Sequence, residues 1–366
     1  MARPTSPKQF SRLILYAVIV AAVLGLSLWP PISFRSEVAA GSGALSHLEA
    51  IRNETLGTHA IFAISLPSRV DKRDNIILGS SVRGFHIEII DATTPDGIDI
   101  KTYPYVSCNE ASKAALLTSP TRIGITITGQ LSTRLDVRTS TLCNGCGRRS
   151  RWSSSSPYGD DWDILWLGHC GIECSADRPY YLTPADPTVP PPGHFLPYWR
   201  DPPPLERPDD ARMTCPITDG VCSIVYAVSF RGAQRILAAL SVNPSGLAEQ
   251  IDIGAQFDVS LGWMCGAGYL RCFAPYPSLT GGYKSAGPAA KGSDINGPDD
   301  AMGSSNEGEL MQGPFSHGVM YSTMLNVNQL LAGKETVLAT WDDVPIKEIN
   351  PAEVGVLGGS LQMPKD

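Results

Sequence analysis

The chain has 366 residues, 43% hydrophobic and 18% charged, enough to bury the core of a large domain, which excludes general disorder. Its net charge of -7 opposes a nucleic-acid partner, because phosphate recognition needs a basic face. The 35 glycines and 30 prolines exclude a plain helical bundle and imply many turns and long irregular connections.

Residues 13–29 (LILYAVIVAAVLGLSLW) carry no charge. As a helix they span roughly 25 Å at about 1.5 Å per residue, which suits the thin membranes of the early secretory pathway. Arg3, Lys8 and Arg12 precede this run and no acid occurs before Glu37. The positive-inside bias therefore predicts a single-pass type II anchor, with residues 1–12 cytosolic and everything after Pro30 lumenal. A signal peptide cleaved near Val38, Ala39 and Ala40 is the alternative. Residues 30–58 read as a stem carrying an N-glycosylation acceptor, Asn53-Glu54-Thr55.

A globular domain is predicted over residues 59–345, with 346–366 as a C-terminal tail. Residues 60–66 (AIFAISL) suit a buried strand, a polar turn at 67–74 leads into a helix, and 85–90 (FHIEII) alternate like a second strand. Strand, helix and strand within this distance predict a βαβ unit on a parallel sheet. Residues 101–157 are unlike their surroundings, basic and rich in Ser and Thr. Residues 161–168 (DWDILWLG) predict a central strand. Proline recurs through 184–208, which predicts an exposed loop or lid. Residues 222–228 read as another buried strand. Ser229 is placed to cap a helix to Leu240, with Ala233, Ile236, Leu237 and Leu240 on one face. A helix over 257–265, a strand over 270–274, a mobile Gly/Ser-rich stretch over 281–309 and a last helix over 321–331 complete the reading.

The chain has nine cysteines, an odd number, so in an oxidising lumen at least one is left over. Pairs Cys170/Cys174, Cys215/Cys222 and Cys265/Cys272 are the expected disulfides, although sequence does not fix connectivity. Cys143 and Cys146 invite a zinc reading with His169, Cys170 and Cys174, but no second CxxC follows. Nucleophile elbow, Walker loop and HExxH are all absent, so hydrolase, ATPase and zinc-protease readings have no support.

Two acidic or basic groups could carry chemistry. Asp160, Asp161 and Asp163 stand at the start of a strand, where Asp161 and Asp163 would share a face and could grip a divalent metal beside a diphosphate; a solvated strand entrance is the plainer alternative. Arg69, Asp71, Lys72 and Arg73 follow the first strand, on the side of an open α/β sheet where ligands bind. Ordinary helix-start chemistry would also place Asp71 there.

Several segments together resemble glycosyltransferase family 25, especially fungal type II members. They are AISLPSRVDKRDN (63–75), HIEIIDATTPDG (86–97), DDWDILWLGHCG (160–171), YAVSFRGAQRIL (226–237), FDVSLGWMC (257–265) and GSDI (292–295), in family order. The resemblance implies a GT-A-like, Rossmann-like α/β domain in the Golgi or endoplasmic reticulum. Such a domain moves a hexose from a UDP-sugar to a glycan or glycoprotein acceptor with Mn2+. It places Arg69, Asp71 and Arg73 near the nucleotide, and Asp258 and Asp294 toward the donor or acceptor pocket. The family's Glu-Asp-Asp metal motif and its Trp-Arg-x-His helix are missing, and residues 101–157 stand in their place. That departure implies a lost metal site, with Asp161 and Asp163 as its only substitute, or a segment read in a shifted frame. A non-catalytic binder of glycans or partner proteins is the other functional class.

Overall fold

The structure is a computed structural model that describes residues 49–92, 157–195, 203, 205–242, 256–288, 310–311, 313–354 and 357–364. The segment expected to form a membrane anchor, nearly all of the basic stretch, Asp294, Cys143 and Cys146 lie outside the described residues.

The βαβ expectation holds. Strand β1 (Ile61–Ser65) leads to helix α1 (Val70–Arg83) and strand β2 (Ile87–Asp91), and β1 pairs with β2 in parallel from Ile61 opposite Ile87 to Ser65 opposite Asp91. Helix α1 carries Asp71 in its first turn and Arg83 in its last, the arrangement its dipole favours. It stops at Gly84, whose φ of 69° is left-handed and whose N–H returns to the last turn. This pair is a two-stranded sheet of its own.

The main sheet is mixed and mostly antiparallel, which differs from the parallel sheet expected. Its members are β3 (Ile164–Gly168), β4 (Gly171–Cys174), β5 (Tyr180–Thr183), β6 (Arg212–Val221), β7 (Val225–Val228), β8 (Cys272–Tyr276) and β15 (Ser360–Gln362). The order is β15-β5-β6-β8-β3-β7, with β4 also on β6. Only β3 and β8 run parallel. Small two-stranded pairings are made by β9 (Tyr283–Lys284) with β12 (Phe315–Ser316), β10 (Gly287–Pro288) with β11 (Leu310–Met311), and β13 (Val337–Leu338) with β14 (Glu348–Ile349).

The period-2 alternation of β3 divides the interior. Ile164 and Trp166 face a core built with Met213, Ile217, Leu261 and Met264, whereas Leu165 faces Ile51, Tyr158, Trp162 and Phe273. Helices α2 (Phe230–Leu237) and α3 (Phe257–Gly266) cover the first of these cores. Ser229 caps α2 as expected, its side chain accepting from Gly232 N–H at 3.0 Å. The helical turn continues through Ala238–Val242 as π-helix. Of the expected face, Ile236 is buried but Leu237 is 66% exposed, because α2 turns that residue outward.

Several boundaries move. The end of the stem packs, since Ile51 is 5% exposed in the second core. Residues 346–366 are no simple tail, because β14 and β15 both pair there. The strand expected at 222–228 begins at Val225 and is half-buried; the buried one is β6, which ends just before Cys222. The last helix shrinks to α4 (Val327–Leu331). The Pro-rich segment is not simply exposed: Asp186, Thr188 and Val189 are buried, because Asp186 pairs with buried Arg212 at 2.7 Å. In the Gly/Ser-rich stretch, residues 281–288 contribute β9 and β10.

The disulfides are Cys170–Cys222, Cys174–Cys215 and Cys265–Cys272. The last is as expected and the first two correct the expected pairing. Cys170 immediately precedes β4 and Cys174 ends it, and four steps of extended chain cover about 13 Å, far beyond the 5.4 and 5.7 Å Cα separations seen in the bridges. The antiparallel register of β4 on β6 brings Gly171 opposite Val221 and Cys174 opposite Ile217, which selects the crossed pairs. With Cys170 and Cys174 so engaged, and His169 buried, the zinc reading loses three of its ligands.

Candidate functional site

Arg69, Asp71 and Arg73 gather at the C-terminal edge of the β1–α1–β2 unit. Arg69 grips Asp71 with two bonds, Nε to Oδ1 at 2.9 Å and Nη2 to Oδ2 at 2.8 Å. That guanidinium holds the Asp71 carboxyl below the usual carboxylate range. Arg73 reaches back over the strand end, donating to the carbonyls of Ser65 at 2.7 Å and Leu66 at 3.2 Å and to Asp91 at 2.6 Å. It thereby ties the ends of β1 and β2 together and satisfies strand-end carbonyls. The edge thus presents two cations and two carboxylates in a fixed arrangement where ligands of open α/β sheets bind.

The acidic group at 160–163 is built differently. Asp163 is fully buried. Its Oδ1 accepts from Arg231 Nε at 2.7 Å, and its Oδ2 accepts from Arg235 Nη1 and from the Arg271 backbone N–H, each at 2.9 Å. Helix α2 supplies both arginines four residues apart on one face, Arg235 from its last turn and Arg231 from its first. Gly232 lets that turn approach, because a Cβ there would lie 2.4 Å from the Asp163 carbonyl oxygen. Asp161 is ion-paired to Arg271. Both residues precede β3 rather than share a strand face. A cation at Asp163 would have to displace two guanidinium groups, so these acids do not fit a manganese site. No cluster of three His, Cys, Asp or Glu side chains suited to a metal occurs among the described residues.

Asp258 sits in the first turn of α3 and its Oδ2 accepts from the Cys222 backbone N–H at 2.7 Å. Cys222 has a positive φ of 63°, so this bond steadies an unusual backbone conformation beside the Cys170–Cys222 bridge. The described residues therefore bring Arg69, Asp71 and Arg73 together and leave Asp161/Asp163 and Asp258 as separate centres. Comparison of the chain with protein-family models, with curated proteins and with solved structures gives no match.

Sequence reasoning named His169 only as a candidate zinc ligand and missed the buried centre it belongs to. His169, just past β3, is fully buried; its Nε2 lies 2.8 Å from the Pro275 carbonyl oxygen, and burial pushes its pKa down to about 4. Nearby, Arg212 donates to Asp186, Thr188, Pro277 and Ser278 from a buried position. The only sequence signal was an Arg leading an apolar strand, which calls for a buried acid somewhere else in the chain. Arg231 and Arg235, equally missed, were legible as an i, i+4 basic pair after the Ser229 cap.

Proposed function

We propose that this chain is a glycosyltransferase family 25-like protein of the secretory pathway that binds a UDP-sugar at the C-terminal edge of β1–α1–β2. Its reaction is hexosyl transfer to a glycan or glycoprotein acceptor, in a Golgi or endoplasmic reticulum membrane. The observation that carries the reading is the parallel β1–α1–β2 unit with Arg69, Asp71 and Arg73 at its ligand-binding edge. In this role Arg69 meets phosphate oxygens, Asp71 accepts from a ribose or base donor, and Arg73 positions the strand ends. Three disulfides support the lumenal placement, because such bridges persist in oxidising compartments.

A second reading, a non-catalytic binder of glycans or partner proteins, is favoured by one observation: Asp161 and Asp163 are spent on arginines. Calorimetry on the full chain in detergent decides between them, with UDP and UDP-hexoses as titrants, with and without Mn2+, beside an assay of UDP release. Uptake weakened at least tenfold by Arg69→Ala, together with turnover, supports the transferase. Uptake without turnover supports the second reading, and no uptake at all refutes the nucleotide site.

A further inference from the structure

We propose that Asn53 carries an N-linked glycan, and that the glycan stands at the end of the β1–α1–β2 unit opposite the nucleotide edge. This rests on the lumenal placement and adds to it a modification site with a defined position. Asn53-Glu54-Thr55 is the only Asn-x-Ser/Thr triplet in the 366 residues whose middle residue is not proline, Asn243-Pro244-Ser245 being barred by its proline, so any glycan added at such a triplet has one destination.

The local geometry is compatible with the modification in the folded chain. Asn53 is exposed. Its Oδ1 accepts from Thr55 N–H at 3.0 Å and Gly57 N–H at 2.7 Å, and the Thr55 hydroxyl lies 3.2 Å away. All these contacts use the amide oxygen, whereas a sugar attaches to Nδ2. The turn and the glycan therefore make no competing demand on the side chain. In the transfer, Nδ2 bonds to the anomeric carbon of a lipid-pyrophosphate-linked oligosaccharide. The bond from that carbon to the pyrophosphate oxygen breaks, one amide proton is lost and the lipid pyrophosphate leaves.

Position follows from how the turn is docked. The Glu54 carbonyl accepts from His86 N–H at 2.9 Å, immediately before β2, and the Leu56 carbonyl accepts from Tyr158 Oη at 2.6 Å. The acceptor turn is thus stitched to the N-terminal end of β2, while Arg69, Asp71, Arg73 and Asp91 occupy the other end. Five paired residues, four steps of about 3.3 Å, separate the two by on the order of 13 Å. A glycan at Asn53 therefore leaves the nucleotide edge open.

The test expresses the full-length chain in a eukaryotic secretory host and treats its membranes with peptide-N-glycosidase. The expected result is a single enzyme-sensitive mobility step, abolished in Asn53→Gln and Thr55→Ala and retained in Thr55→Ser. A wild-type chain with no step overturns the proposal. Thiol alkylation then tells why: blocked cysteines show a lumenal chain that escapes modification, and reactive cysteines show that the lumenal placement itself fails. A step that survives Asn53→Gln also overturns it. Deglycosylated and glycosylated chains are expected to take up UDP with equal affinity; a threefold or larger difference would overturn the placement at the opposite end.

Discussion

His169 and Asp163 are both fully buried, and their chemistry makes opposite demands on the fold. His169 is kept neutral by burial, with a folded-state pKa of about 4 against an ordinary value near 6.5. As pH falls from about 6.5 to 4, the unfolded chain takes up a proton at this position and the folded chain does not. Stability is therefore full above the ordinary value and is lost on acidification, by about 3 kcal/mol across this window. His317, also pushed down by burial, acts in the same direction. Asp71 contributes lower on the scale, since its depressed carboxyl loses stability only as pH drops below about 3.8. Urea midpoints measured from pH 7.5 to 4.5 should fall steadily for the wild type and more shallowly for His169→Gln. An unchanged slope in that variant would rule out the assignment. Asp163, by contrast, is a buried carboxylate held by two guanidinium groups. Asp163→Ala leaves Arg231 and Arg235 facing a void and should cost about 3 kcal/mol. Asp161→Ala, at a partly exposed pair, should cost under about 1 kcal/mol. Chemical denaturation of the two variants checks the ordering.

At the scale of elements, the approach of α2 to β3 depends on Gly232. Alanine is ordinarily worth about 1 kcal/mol more than glycine inside a helix. Here its Cβ would fall 2.4 Å from the Asp163 carbonyl oxygen and 3.0 Å from the Asp163 Cα, backbone atoms that cannot step aside. Gly232→Ala is therefore expected to lower the thermal midpoint, reversing the propensity order; a rise would show that α2 can shift. The bridges obey a similar logic of distance. Cys170–Cys222 closes a sequence separation of 52 and Cys265–Cys272 only 7. Loop entropy assigns them about 4 and about 2.5 kcal/mol, so Cys170→Ala/Cys222→Ala should destabilise more than Cys265→Ala/Cys272→Ala in the same denaturation assay. These elements also show what the sequence discloses. Local signals found β1, α1, β2, β3, the Ser229 cap and α3, because alternation, capping and apolar spacing are written within a few residues. They missed β6, since Pro216 and Gly220 read as strand breakers although both lie within the strand. They paired Cys170 with Cys174 because nearness in sequence was the only distance on offer, whereas the register of β4 on β6 is a tertiary fact. The Arg69–Asp71 edge was legible for the same reason that β1 was. The commitment of Asp163 to arginines 68 and 72 residues away was not.

For the molecule as a whole, the main sheet depends on the last residues of the chain. Strand β15 lies on the outside of β5, with Ser360 opposite Leu182 and Gln362 opposite Tyr180. The chain reaches that position through Gly359, where a Cβ would lie 2.4 Å from the Tyr181 ring and 2.7 Å from the Leu182 carbonyl oxygen. Only a residue without a side chain fits there unless Tyr181 moves. Removal of residues 357–366 takes away this strand and leaves the N–H and C=O groups of β5 facing water along a hydrophobic strand, Tyr180-Tyr181-Leu182. Unpaired edges of this kind template association with other chains. The shortened chain is therefore expected to fold, because β6, β8 and β3 keep their partners, and to self-associate in proportion to concentration. Light scattering on the intact and shortened chains measures this directly. Gly359→Val should reproduce part of the effect in the full-length chain, since it dislodges β15 without deleting it. A shortened chain that stays as monodisperse as the intact one would mean that β15 closes nothing, and that the sheet's outer boundary is β5.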